Sequence, residues 1–121
     1  CLEFGAGTGN FTRHLLGRFA RVEASDQAPG MVAEGRRALP GAEWSVRDAW
    51  RPEGGAGGWD FVASCSLLQW AEDPAAVLAR WRSLTRPGGR QLSGIYVAPS
   101  LPEFGALLPE RRPFPWRTAE A

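Results

Sequence analysis

Cysteine is scarce in this chain: Cys1 and Cys65 are its two thiols, too few for a disulfide framework, and neither belongs to a Cys-x-x-Cys pair or a histidine-rich cluster that would suggest zinc. Both are expected to be reduced, as in a cytoplasmic protein. Histidine is scarcer still, with His14 alone, on a stretch of helical pattern where a surface or half-buried place is expected rather than a catalytic one. An excess of charge of either sign is also missing. Fourteen basic and thirteen acidic residues leave a net charge of +1, so no global field draws the chain toward nucleic acid or anionic lipid, and a small, weakly charged partner is expected. The pairs Arg36-Arg37 and Arg111-Arg112 read as solvated. No apolar run approaches the ~20 residues that span a bilayer, and no charged-then-apolar leader precedes the first motif, so neither membrane insertion nor secretion is expected.

What is present is a cycle of short strands and single helices. Cys1 to Phe4 is apolar apart from Glu3 and runs into Gly5-Ala6-Gly7-Thr8-Gly9, the end of a buried strand feeding a glycine turn. Phe11, Leu15, Leu16 and Phe19 then recur at helical spacing. Val22 and Ala24 alternate with charged neighbours before Asp26, a second strand, and Pro29 opens a helix carrying Met31, Val32, Ala38 and Leu39 that Pro40-Gly41 ends. Trp44 and Val46 give a third strand ending at Asp48, residues 51 to 58 form a loop rich in glycine and proline, and Asp60 to Cys65 a fourth strand. Asp73-Pro74 starts a helix with Val77, Leu78, Trp81 and Leu84 on its apolar face. Pro87-Gly88-Gly89 then breaks the chain before a fifth strand over Leu92 to Val97.

Strands joined by single helices pair in parallel through right-handed crossovers, which predicts an α/β fold: a Rossmann-like, doubly wound parallel sheet in three layers. The core is expected over residues 1–98, with a proline-rich tail over 99–121. Ligands in such sheets lie beyond the carboxyl ends of the strands, and Glu3, Asp26, Asp48 and Ser64 to Ser66 all fall on that rim. The glycine turn alone fits a plain turn as well as a ligand loop. A nicotinamide-dinucleotide fingerprint needs a third glycine where Asn10 stands, which counts against a dehydrogenase. An acidic residue on the preceding strand also suits a ligand with a cationic amino acid end better than a pyrophosphate.

Leu2-Glu3-Phe4-Gly5-Ala6-Gly7-Thr8-Gly9 resembles the first motif of the class I S-adenosylmethionine-dependent methyltransferases. Asp26-Gln27-Ala28-Pro29-Gly30-Met31 is similar to that family's second-strand segment, and Arg47-Asp48-Ala49 to its third-strand end. Trp59-Asp60-Phe61-Val62 with Leu68-Gln69-Trp70, and Leu84-Thr85-Arg86-Pro87-Gly88-Gly89, continue the likeness in the family's order. The resemblance implies S-adenosylmethionine as cofactor, held by Glu3, Gly5, Ala6, Gly7, Asp26, Gln27, Met31, Asp48, Ala49 and Ser64. In that reading Asp26 binds the ribose hydroxyls, Met31 packs on adenine, Asp48 accepts from the adenine amino group beside the small Ala49, Glu3 and Gly5 hold the methionine end, and Ser64 to Leu67 line the floor. Each position keeps a plain alternative: Asp26 as a helix cap, Met31 as core filling, Asp48 as a solvated loop residue.

Leu68-Gln69-Trp70 closely resembles the malonyl-acyl-carrier-protein methyltransferases of biotin synthesis and the trans-aconitate methyltransferases, which implies Gln69 and Trp70 as contacts of a small or carrier-bound acid, unless Trp70 is simply packing. The expected function is O-methylation of a carboxylate, with a cofactor-binding regulatory module that lacks turnover as the alternative. No metal and no named catalytic residue are expected. The family's usual sheet has seven strands, so five imply a core truncated at both ends, with much of the acceptor pocket elsewhere.

Overall fold

A computed structural model describes residues 1–53 and 58–97 of the chain. The expected tail over 99–121, its boundary and Arg111-Arg112 lie outside the described residues. In chain order the elements are β1 (Leu2–Phe4), α1 (Thr12–Leu16), β2 (Glu23–Asp26), α2 (Pro29–Ala38), β3 (Glu43–Val46), β4 (Trp59–Cys65), a single 3₁₀ turn (Leu68–Trp70), α3 (Pro74–Leu84) and β5 (Thr85–Gly94). The strands form one sheet in the order β3-β2-β1-β4-β5, and all four pairings are parallel. The chain therefore winds outward from β1 to β3, then crosses back to lay β4 on the other side of β1. That reversal opens a crevice between the carboxyl ends of β1 and β4, where this class of sheet binds ligands.

Burial on both faces explains why the central strands β1 and β4 are largely apolar, whereas β2 alternates apolar with polar residues. Side chains alternate across a strand, so Cys1 and Ala63 join one core with Leu15, Val22, Ala24, Val32 and Trp44, while Leu2, Phe4 and Val62 join the other with Val77, Trp81 and Leu84. The first cluster packs α1 and α2 on one face, and the second packs α3 on the opposite face, giving the three layers. Each fully buried core side chain of the Leu or Val kind contributes about 1.5–3 kcal/mol from apolar burial, which the short strands need because each has few ladder hydrogen bonds. α3 begins as the sequence indicates: the Asp73 side chain accepts from the Ala76 amide at 2.9 Å and Pro74 occupies the first turn.

Three boundaries differ from the sequence reading. α1 stops at Leu16 because Gly17 caps it, and Phe19 reaches the core from the following turn, its ring 5.0 Å from that of Phe61. β3 ends at Val46, which leaves Asp48 in the loop beyond it. The largest difference is β5, which runs Thr85–Gly94 and takes Pro87-Gly88-Gly89 inside it rather than starting after them. Trp59 pairs with Thr85 but Phe61 pairs with Arg90, so the intervening residues bulge from the ladder. Among the described residues β5 is the edge of the sheet, so the missing N–H of Pro87 breaks no ladder on that side. Arg86, at the bulge, forms an ion pair with Asp60.

Candidate cofactor site

The glycine loop leaves β1 with Gly5 at φ 68° and Gly7 at φ 57°, in the left-handed region that costs a side chain-bearing residue about 1–2 kcal/mol. A Cβ on Gly5 would strike the Leu67 side chain at 2.9 Å, whereas one on Gly7 would meet nothing within 4 Å. The first glycine lets the floor close up against the loop. The second presents bare backbone to open space, as a cradle for a ligand does.

Asp26, at the end of β2, ties this loop to the next helix. Its Oδ2 accepts from the Gly7 amide and its Oδ1 from the Ala28 amide, both at 2.9 Å. Each oxygen keeps a further lone pair, so the half-buried carboxylate can still accept two hydroxyl hydrogens. Asp26 is not the cap of α2: the N-cap position is Ala28, with no side chain bonded to the helix's first amides, and the Asp26 bond to the Ala28 amide lies just ahead of the helix and leaves the carboxylate open to a ligand.

Glu3 lies on β1 one residue before Phe4, with 1 % of its surface exposed. The Thr12 hydroxyl donates to its Oε2 at 2.6 Å. Burial pushes the Glu3 carboxyl up to about 7, the Thr12 hydrogen bond opposes that rise, and the charge of Asp26 adds to it. The site therefore holds a carboxyl able to change charge near neutrality.

Two hollows meet at Gly5. An open cavity of about 610 Å³ gathers Glu3, Gly5, Ala6 and Gly7 with Met31, His14, Cys65 and Ser66 along its wall. A narrow cleft of about 70 Å³ gathers Gly5, Asp26, Gln27 and Ala49 with Trp50 and Leu67. Met31 thus stands, 45 % exposed, with Glu3 and the glycine loop rather than beside Ala49. Asp48 lines a neighbouring hollow that also holds Trp50 and Trp70, and its Oδ1 accepts from the Trp50 amide at 2.8 Å.

Ser64, expected in the floor, is buried instead and donates to Ser93 Oγ at 3.0 Å. Its strand neighbours supply the lining: Cys65 is exposed, and Ser66 turns the chain with φ 58°. Gln69 and Trp70 point apart on the 3₁₀ turn, the first buried and the second 54 % exposed. The Gln69 Oε1 is a buried acceptor with no hydrogen-bond partner among the described residues. His14, expected at a surface or half-buried place away from the chemistry, shares the cavity of Glu3. No local pattern signals this placement, because the cavity joins α1 to the ends of β1 and β4. Among the described residues no group of three or more His, Cys, Asp or Glu could hold a metal ion.

The sequence and the fold of this chain are shared with known proteins across most of its length. The family model described as a methyltransferase domain matches residues 2–91. The chain belongs to the class I S-adenosylmethionine-dependent methyltransferases. A malonyl-[acyl-carrier protein] O-methyltransferase of Serratia marcescens is 36% identical over 104 residues, covering 86% of this chain and 41% of the relative. A trans-aconitate 2-methyltransferase of Azoarcus sp. (strain BH72) is 33% identical over 119 residues, covering 95% of this chain and 45% of the relative. This methyltransferase chain therefore spans less than half the length of those two relatives. Among solved structures, one described under the conversion of a disulfide bond into a thioacetal group during echinomycin biosynthesis superposes with a TM-score of 0.82 at 25% identity, over 98% of this chain and 57% of that one. A structure of an S-adenosylmethionine-bound aminopentose methyltransferase from Micromonospora echinaspora matches with a TM-score of 0.70 at 26% identity, over 80% of this chain and 43% of that one.

Proposed function

We propose that the protein transfers a methyl group from S-adenosylmethionine to a carboxylate oxygen of a small or carrier-bound acid. The observation that carries this reading is the pair of relatives named for malonyl-acyl-carrier protein and trans-aconitate, matched at 36% and 33% identity across nearly all of this chain. Two further relatives are named as bifunctional proteins of biotin biosynthesis and three more as trans-aconitate 2-methyltransferases, so both a carrier-bound and a free acid stay within the proposal.

The residues fit the cofactor in character. Asp26 would accept from the ribose hydroxyls through its free lone pairs while its other contacts hold the Gly7 and Ala28 amides. Gln27 and Ala49 would border the adenine in the narrow cleft, with Asp48 offering the carboxylate oxygen not engaged by Trp50. Glu3, once ionised, would face the ammonium of the methionine end, and Gly5, Ala6, Gly7 and Met31 would surround it. The bound cofactor supplies an already activated methyl group on a sulfonium. What remains for the protein is alignment, a contribution of up to about 7–11 kcal/mol in favourable model systems. An acid ionised at neutral pH attacks without deprotonation, so the reading asks no proton transfer of the cavity wall.

The test is incubation of the protein with methyl-labelled donor and malonyl-carrier protein, free dicarboxylates, phenols and amines, followed by mild alkali. A methyl ester releases its label as methanol. Alkali-stable label on a phenol or amine refutes the carboxylate, and donor binding without transfer to any acceptor favours the regulatory module.

A further inference from the structure

Trp81 is the largest fully buried side chain among the described residues, at 0 % exposure, and it lies on α3, across the sheet from the glycine loop's own helix. Its ring stacks on Phe4, with centroids 4.9 Å apart and planes 20° from parallel. Phe4 immediately precedes Gly5. Apolar packing alone would be met by any large hydrophobe, but the indole has one polar atom, and here it has a definite partner. Nε1–H donates to the carbonyl of Ala49 at 2.8 Å, wholly within the core. Arg80, one residue earlier, donates to the carbonyl of Trp50 at 3.1 Å.

These bonds fall on the loop after β3, where Ala49 lines the narrow cleft and Asp48, the preceding residue, lines the neighbouring hollow that shares Trp50. The loop has no strand pairing of its own, because β3 ends at Val46. Its shape is held by the internal Asp48–Trp50 bond and by two donors reaching from α3. Losing the Trp81 donor would leave the Ala49 carbonyl buried and unpaired, so the Ala49–Trp50 peptide would turn to find another donor. The consequence falls on Asp48 and Ala49.

We propose that Trp81 is a positioning residue for adenine selectivity, holding the Asp48–Ala49–Trp50 loop in the register that reads the 6-amino group. This rests on the assignment of the cleft to adenine made above. The experiment measures binding of S-adenosylhomocysteine and of its 6-oxo (inosyl) counterpart by calorimetry to the full chain. It compares wild type, Trp81→Phe, a variant with benzothienylalanine at 81, which keeps the bicyclic shape without the N–H, and Arg80→Ala, whose bond is at the surface. Wild type is expected to prefer the amino ligand. Trp81→Phe and the benzothienyl variant should lose that ligand by about tenfold, the equivalent of one lost hydrogen bond, while the oxo ligand changes by less than about twofold. Arg80→Ala should lose about threefold, in the same selective sense.

An equal loss for both ligands, or a lower melting temperature with the preference intact, overturns the proposal and makes Trp81 an ordinary core residue. If Trp81→Phe does not fold, the benzothienyl and Arg80→Ala variants decide on the same criterion. A wild type that binds both ligands equally refutes the adenine assignment, and this proposal with it. A wild type that discriminates while the variants keep its preference refutes only the proposal.

Discussion

Replacing Glu3 by glutamine removes the one buried carboxyl in this site whose charge changes near neutrality. Glu3 is almost fully buried, and its carboxyl sits at about 7 instead of the ordinary 4.5, first because burial disfavours the charge. The folded chain therefore binds a proton that the unfolded chain has released, across the interval from about 4.5 to about 7. Stability must fall as pH rises through that interval, at up to about 1.4 kcal/mol per pH unit, and the total is roughly 3 kcal/mol. Asp60 and Glu43 work in the opposite sense, held below the usual range by hydrogen bonds from Arg86 and Arg21, and their contribution disappears only in acid. Urea unfolding of wild type and Glu3→Gln between pH 5 and 8 isolates the effect, since subtracting the two profiles cancels the other groups. The difference should shrink or reverse toward high pH, where the wild-type carboxylate is charged and the amide is not. A ligand ammonium in the cavity inverts the balance by favouring the carboxylate. Binding of S-adenosylhomocysteine should then release a proton near pH 6, seen as a buffer-dependent binding heat, and tighten toward pH 8. Parallel stability profiles, with no proton release in wild type, would refute the reasoning.

Asp26→Ala should weaken S-adenosylhomocysteine binding by about 1–3 kcal/mol by calorimetry, because it removes a charged acceptor, and should lower the melting temperature through the orphaned Gly7 and Ala28 amides. Gly7→Val should cost about 1–2 kcal/mol in urea unfolding from its left-handed backbone alone, since the space around it is open. Leu92 is 53% exposed on β5, the described edge of the sheet, so Leu92→Lys should reduce concentration-dependent association in sedimentation velocity without loss of helical signal.

The alternation of strands and helices was legible because the strands show either a short apolar run, as in β1 and β4, or apolar–polar alternation, as in β2 and β3, and because Asp73-Pro74 and Pro29 mark helix starts with local chemistry. The glycines were legible because their turn is set within a few residues, and Asp26 through the likeness of its segment to the family's, since its bond to the Gly7 amide joins residues 19 apart. The β5 bulge was not, because Pro87-Gly88-Gly89 has the composition of a turn and only its pairing with β4 keeps it in a strand. The inward turn of Ser64 and the outward one of Cys65 depend on strand phase, which a one-residue error inverts. His14 and the Trp81–Ala49 bond were invisible for a different reason: each joins elements far apart in sequence, and no local pattern encodes such a meeting.

The sheet order also sets a timetable. β1 sits between β2 and β4, and Leu2 pairs with both Glu23 and Val62. During synthesis the first half can assemble β1, β2 and β3 with the glycine loop and Asp26 already joined, yet one side of β1 stays bare until β4 emerges. Phe4 waits longer, since its stacking partner arrives with α3. A half-sheet of β1, β2 and β3 alone would carry the Asp26 carboxylate without the floor that Leu67 supplies, and its bare edge invites association, so protection by the cofactor can begin only after the crossover to β4 is complete.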